Sequence, residues 1–222
     1  MSRHLCKRIA LIALAFIPLL AQAQQSGKTV FAAHIEKNAI VAEGLSRNQE
    51  VLLFGVSVET LRYEVKATRT WNRVAADDDG DGKVSFDFEK PVSRRSLWAA
   101  VDLRHGDYVV LSGDGYDVPV ANLPATALRR GAKNDELTSL ALLGATANVV
   151  VVRPGAGAWL MDVEQNGRND EERTSAAVMH ADLANLAPLS GRAAAPKALV
   201  PGDVLLVLNP LTIELSATRI ER

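Results

Sequence analysis

The chain has 222 residues, 48% of them hydrophobic, with 25 basic residues against 26 acidic ones and a formal charge of −1. That balance leaves no basic footprint for nucleic acid, and the apolar content suffices for a real core, which excludes a disordered tail. The single cysteine, Cys6, lies near the N-terminus, so a disulfide framework is excluded as well.

Arg3, Lys7 and Arg8 precede an apolar run from Ile9 to Leu20, and Ala21-Gln22-Ala23 follows with the small-x-small pattern of a signal-peptidase site. Residues 1–23 are therefore expected to be a cleaved leader, with the mature chain beginning near Gln24 in the periplasm or outside the cell. The apolar run falls short of the ~20 residues that span a bilayer, so no stable membrane insertion is expected after cleavage. Pro18 and the Ala-x-Ala site weigh against a retained anchor, and Cys6 stands ahead of the apolar run, where it cannot serve a lipoprotein. Loss of the leader removes three basic residues and no acidic ones, leaving a mature charge of −4 and no thiol.

Alternating, β-branched segments bounded by turn residues then follow at short spacing: Thr29–Ile35, Ala39–Ala42, Glu50–Val58, Lys83–Phe88, Ser96–Leu103 and Tyr108–Ser112. Gly44-Leu45-Ser46-Arg47-Asn48-Gln49 and Gly113-Asp114-Gly115 supply turns between antiparallel partners. Ala121–Asp135, with Pro124 and Gly131, reads as a boundary or covering loop. Leu137, Leu140, Ala141 and Leu143 recur at spacings of three and four behind Asn134 as a cap, which predicts a short helix over Glu136–Leu143. Strand signals resume at Ala147–Arg153, Ala158–Glu164, Val204–Leu208 and Thr212–Ala217, the last two separated by Asn209-Pro210. Ala187–Pro201, rich in Ala, Pro and Gly, reads as an irregular connection. The expected fold is all-β, an immunoglobulin-like sandwich. Residues 24–121 form one β domain carrying an acidic loop, and 122–222 form either a second, similar domain after the short helix or a continuation of the same sandwich.

A diverged duplication is one reading of this order. Asp77–Asp81, Val84–Phe88 and Gly106-Asp107-Tyr108-Val109-Val110-Leu111 have counterparts in Asp162–Glu172, Val178–Leu183 and Gly202-Asp203-Val204-Leu205-Leu206. Turn chemistry alone also produces such matches, and Thr174–Leu186 carries a helical reading too, with Thr174 as a cap.

The sharpest chemical motif is Asp77-Asp78-Asp79-Gly80-Asp81-Gly82-Lys83. A hard cation needs oxygens converging from alternate residues of a folded-back backbone, and Asp77, Asp79 and Asp81, with the Lys83 carbonyl, match the first, third, fifth and seventh positions of a calcium loop. The twelfth position is Phe88, where an EF-hand has a bidentate glutamate. Alternation points Val84, Phe86 and Phe88 to the core and Ser85, Asp87 and Glu89 to solvent, which leaves Asp87 on the ligand-accessible side. Calcium pinning a loop between strands is one reading, and an unmetallated Asp/Gly turn is the other. Crowded aspartates repel one another unless a cation screens them, which favours the first. Asp162, Glu164, Asn166 and Asp170 form a second acidic stretch that fits less well and also reads as a polar hairpin loop.

Catalytic signals are thin: no Gly-x-Ser-x-Gly elbow, no His-Glu-x-x-His pair and no Walker-type loop occurs. Gly155-Ala156-Gly157 follows Arg153-Pro154 and reads as a turn rather than a dinucleotide fingerprint. The mature histidines His34, His105 and His180 are far apart in sequence. Trp98 and Trp159 sit in apolar strands and read as core. Trp71, between Arg69-Thr70 and Asn72-Arg73, is the aromatic placed to contact a partner.

The segment Ala39-Ile40-Val41-Ala42-Glu43-Gly44-Leu45-Ser46-Arg47-Asn48-Gln49-Glu50-Val51, running on to Phe54, resembles the first strands of bacterial immunoglobulin-like repeats of the IPT/TIG kind. With the acidic loop, Leu97-Trp98-Ala99-Ala100-Val101-Asp102 and Pro201-Gly202-Asp203-Val204, the chain is similar to secreted bacterial β-sandwich proteins. The resemblance implies an exported sandwich and carries over no catalytic residues. The expected role is a non-enzymatic binding or structural module of the cell envelope, stabilised by calcium and facing a protein or glycan partner. The rival is a hydrolase-type enzyme using acidic residues near the calcium loop.

Overall fold

Runs such as Val51-Leu52-Leu53-Phe54, Val149–Val152 and Val204–Leu208 are apolar at consecutive positions. Successive strand side chains point to opposite sides of a sheet, so such a run needs cover on both faces. The computed structural model describes residues 30–60, 66–113, 127–130, 137–143, 146–164, 178–191, 193–210 and 213–221. It covers both faces of these strands by stacking sheets.

The first set of strands is β1 (Ala32–Ile35), β2 (Ala39–Glu43), β3 (Glu50–Thr60), β4 (Lys66–Ala76), β5 (Lys83–Asp87), β6 (Ser96–Asp102) and β7 (Tyr108–Ser112). They pair antiparallel into a three-stranded sheet, β1-β2-β5, and a four-stranded sheet, β4-β3-β6-β7. Ile40, Ala42, Val84 and Phe86 from the first sheet meet Val51, Leu53, Trp98 and Ala100 from the second. The alternation read from the sequence of β5 holds, with Val84 and Phe86 buried between exposed Lys83, Ser85 and Asp87.

The second set is β8 (Ala127–Arg130), β9 (Leu137–Leu143), β10 (Thr146–Arg153), β11 (Gly157–Glu164), β12 (Val178–Asp182), β13 (Ala187–Ser190), β14 (Val204–Asn209) and β15 (Glu214–Arg219). It forms a three-stranded sheet, β12-β9-β8, and a five-stranded one, β13-β11-β10-β14-β15. The four- and five-stranded sheets share a core: Leu52, Phe54, Val56, Leu97, Ala99 and Val101 pack with Val150, Val152, Val204, Leu206 and Leu208. Strand β6 is consequently buried at all seven positions. On its other face the five-stranded sheet presents Val149, Val151, Trp159 and Leu205 to Leu183, Leu186, Leu199 and Ile220. Each fully buried Leu, Val or Phe contributes about 1.5–3 kcal/mol, so these layers can hold the fold together without a disulfide.

The same connectivity occurs twice. A hairpin and the fifth strand make β1-β2-β5, and β8-β9-β12 repeats it, while β4-β3-β6-β7 is repeated by β11-β10-β14-β15 with β13 added at the edge. Val84–Phe88 and Val178–Leu183 thereby fall on equivalent strands, β5 and β12. The Gly-Asp match does not hold, because Gly106-Asp107 precedes β7 whereas Gly202-Asp203 precedes β14, the counterpart of β6.

The helix expected over Glu136–Leu143 is corrected: Leu137–Leu143 is strand β9, paired on both sides by β8 and β12. Two backbone ladders outweigh a leucine spacing that by itself fits a helix. Helix is confined among the described residues to one 3₁₀ turn at Leu183–Asn185. Ala187–Ser190, expected to be irregular, is the edge strand β13, a position that tolerates Pro188. The expected boundary at 121/122, the leader 1–23, the Gly113-Asp114-Gly115 turn beyond Gly113 and residues 165–172 of the second acidic stretch fall outside the described residues.

Candidate functional site

Strand β5 separates two polar features, an acidic loop at its start and a cleft at its end. The loop, residues 77–82, joins β4 to β5. Asp77 is 1% exposed, and its backbone is fixed by bonds from its own amide to Gln49 O at 3.1 Å and from the Asn48 amide to its carbonyl at 2.7 Å. Its carboxylate accepts the Gly80 amide at 2.8 Å and the Gly82 amide at 3.2 Å. Asp79 Oδ1 accepts the Asp81 amide at 3.2 Å, and Asp81 Oδ1 accepts the Lys83 amide at 2.8 Å. Each carboxylate thus stabilises the turn two to five residues on, which is the side-chain chemistry that suits aspartate to turns. Gly82, at φ +84°, adopts a conformation that favours glycine.

The outcome is convergence. One carboxylate oxygen from each of Asp77, Asp79 and Asp81 lies within 4.8 Å of the others, and the latter two residues are exposed. This grouping can hold a metal ion. Lys83 opens β5, where its ammonium is engaged by Glu43 at 2.7 Å. That hydrogen bond and charge hold the Glu43 carboxyl below its ordinary value and raise the Lys83 ammonium above its own. Asp87 lies at the opposite end of the strand, about 13 Å along an extended backbone. There it accepts Ser85 Oγ at 2.9 Å and lines the cleft. In the second acidic stretch, Asp162 lies in β11 and accepts a hydrogen bond from Asn148 Nδ2 of β10.

The cleft encloses about 470 Å³ between edge strand β4, the end of β5 and the segment leading to β6. Two of its lining residues, Trp71 and Trp98, are the register partners of Gly55 of β3 on either side. A side chain at this position would strike the Leu97 carbonyl and come within 2.6 Å of Trp98. The missing side chain therefore makes room for the Trp98 indole, whose ring centre is 6.2 Å from that of Trp71, with Phe88 5.1 Å from Trp71 and edge-on. Trp71 donates its indole N–H to Ser57 Oγ at 3.2 Å. Trp98 is 1% exposed, and its indole N–H has no acceptor among the described residues. Arg69 and Arg73, two residues to either side of Trp71 and on its face of the strand, place guanidinium carbons 4.0 and 4.6 Å from its ring centre. Trp71 is thus half-buried at a cleft rather than freely exposed, while Trp98 and Trp159 are core, as expected.

A third grouping joins Asp102, His105 and Asp107 in the β6–β7 turn. Buried Asp102 accepts the Arg104 amide at 2.8 Å and the His105 amide at 3.3 Å, and its second oxygen pairs with His105 Nδ1 at 2.7 Å. Arg219 of β15 reaches Asp107 at 3.3 Å and also binds the Gly106 carbonyl, supplying the positive charge that a cation would otherwise provide. Neither His105 nor Asp102 lines the 470 Å³ cleft or the second cleft of about 650 Å³ beside Glu50 and Arg104. The sequence carries no motif that flags Asp102 as the partner of His105, three residues on. Buried Asp203 is likewise structural, held by Arg153 through Nε at 2.9 Å and Nη2 at 2.8 Å. That bond raises the Arg153 guanidinium further above its ordinary value, against the opposing effect of burial.

No helix among the described residues is long and apolar enough to cross a membrane. No family model matches this chain, and neither curated proteins nor solved structures match it.

Proposed function

We propose that the chain is an exported, non-enzymatic, immunoglobulin-like module of the cell envelope, with a loop stabilised by calcium and a binding role toward a protein or glycan. The observation that carries the calcium reading is the convergence of Asp77, Asp79 and Asp81 oxygens within 4.8 Å on a loop whose backbone is already tied down. Repulsion among three carboxylates at that range is relieved by a divalent cation, and oxygen-only ligands suit calcium. Few protein ligands and an exposed rim fit the weak sites of extracellular modules, with Kd on the order of 10⁻⁴ to 10⁻³ M.

The test is a melting curve in calcium and in chelator. With about 10 mM calcium and a Kd of about 10⁻³ M, mass action stabilises the folded state by about 1.4 kcal/mol, which raises Tm by about 3–6 °C for a chain of this size. Asp79→Ala combined with Asp81→Ala removes the increment. Identical curves with and without calcium would refute the metal reading.

A hydrolase-type reading draws on the Asp102–His105 pair at 2.7 Å, an arrangement that orients a general base. Its weakness is that Asp102 is occupied by two turn amides and that neither described cleft contains the pair. Ester or glycoside hydrolysis by the purified chain that His105→Ala abolishes would favour it over the binding module.

A further inference from the structure

We propose that the cleft between β4 and the segment after β5 binds a carboxylate-bearing saccharide, a uronate unit, with Arg69 and Arg73 as its carboxylate anchors. This inference deepens the binding-module reading and rests on it.

Arg69 and Arg73 stack on one indole, which fixes both guanidinium groups at the mouth of the cleft. Neither has a carboxylate within ion-pair distance among the described residues, where the one protein acceptor they meet is the Asp87 carbonyl, 3.3 Å from Arg73. A guanidinium fork matches a carboxylate through two parallel hydrogen bonds, and prior stacking removes much of the rotamer entropy that such a bond ordinarily costs. Indole and guanidinium are themselves held in place, because Trp71 is anchored to Ser57 and packed against Phe88.

Carboxylate alone is not the best fit. The lining also carries Asp87, Glu89 and Lys90, so acceptors for hydroxyl groups share the cleft with the two guanidiniums. A bare inorganic anion would meet these carboxylates, and a neutral sugar would leave both guanidiniums unsatisfied. A sugar ring bearing a carboxylate offers partners to both the guanidiniums and the carboxylates, and its C–H face can lie on the half-buried Phe88 ring. The volume of about 470 Å³ lies within the range of small-molecule sites and accommodates one or two sugar rings.

The experiment is a titration of the mature chain with digalacturonate in the presence of chelator, followed by calorimetry and tryptophan fluorescence. Cellobiose, triglutamate and inorganic phosphate serve as comparison ligands. Saturable binding of digalacturonate at least tenfold tighter than of each comparison ligand is expected, with affinity falling as salt rises. Arg69→Gln with Arg73→Gln should weaken it at least tenfold without lowering Tm by more than a few degrees, and Trp71→Phe should weaken it while leaving both charges in place. Binding of cellobiose or phosphate as tight as that of digalacturonate, no digalacturonate binding, or full affinity in the double arginine variant would each overturn the proposal. Tighter binding of triglutamate would overturn it in favour of an acidic peptide. The Asp79→Ala, Asp81→Ala variant separates the two readings: it should lose the calcium increment and keep digalacturonate affinity, so either result can fail alone.

Discussion

The acidic loop and the cleft sit at opposite ends of one five-residue strand, yet they are built by different means. The three converging carboxylates come from five consecutive residues, and their hydrogen bonds span two to five positions. The cleft draws Ser57 from β3, Arg69, Trp71 and Arg73 from β4, Phe88 from just after β5 and Trp98 from β6, the two indoles flanking Gly55. The difference teaches that a local site survives small changes elsewhere in the sheets, whereas a site assembled across strands depends on their register.

Gly55→Val tests that dependence most severely. Overpacking against the Leu97 carbonyl and the Trp98 ring is expected to cost about 3 kcal/mol in urea unfolding. It should also displace Trp71 fluorescence while leaving the calcium increment of the remaining folded protein intact. Unchanged stability would mean that the indoles do not rely on that gap.

Asp77→Ala, measured in chelator, is expected to lose about 2 kcal/mol, because two amides inside the loop lose a charged acceptor. Asp79→Ala with Asp81→Ala should cost less than half as much under the same conditions, since both residues are exposed. Equal losses would erase the distinction between a structural aspartate and two ion-facing ones.

The smallest expected effect concerns Glu43 and Lys83, which pair across β2 and β5 beside the loop. Glu43 is held below its ordinary value of 4.5, so its contribution is present above that value and is lost as pH falls through the lowered one. Lys83 is raised above 10.5, so its contribution is present below that value and is lost as pH rises through the raised one. Both groups are solvent-exposed and screened, and the change in Tm should be slight on each limb. Lys83→Met should flatten the acid limb of the Tm profile near Glu43, and an unaltered profile would show that the pair adds nothing to stability.

Local chemistry explains what could be read in advance. Val84-Ser85-Phe86-Asp87 announces a strand by alternation, and Asp77–Gly82 announces a turn with convergent oxygens, because neighbours in sequence are neighbours in space there. Strand β4 was not expected, since Arg69, Asn72 and Arg73 interrupt any apolar period. An edge strand can carry them only because Trp71 stacks both guanidiniums and β3 supplies the backbone partners. Thr68, Thr70 and Val74 were the available β signal. Leu137–Leu143 read as helix because leucine spacing records a preference of one segment, and the ladders to β8 and β12 that override it involve residues far away along the chain.

The sequence by itself determined the all-β class, the paired-face burial of its continuous valine and leucine runs, and the aspartate turn, because periodicity and turn chemistry act within a few residues. Only the tertiary structure decided that the four- and five-stranded sheets share a core, that one strand order occurs twice, and that Gly55 gathers two tryptophans beside two arginines. Those outcomes depend on strand register and sheet stacking, which are fixed by the summed burial of many distant residues rather than by any segment alone.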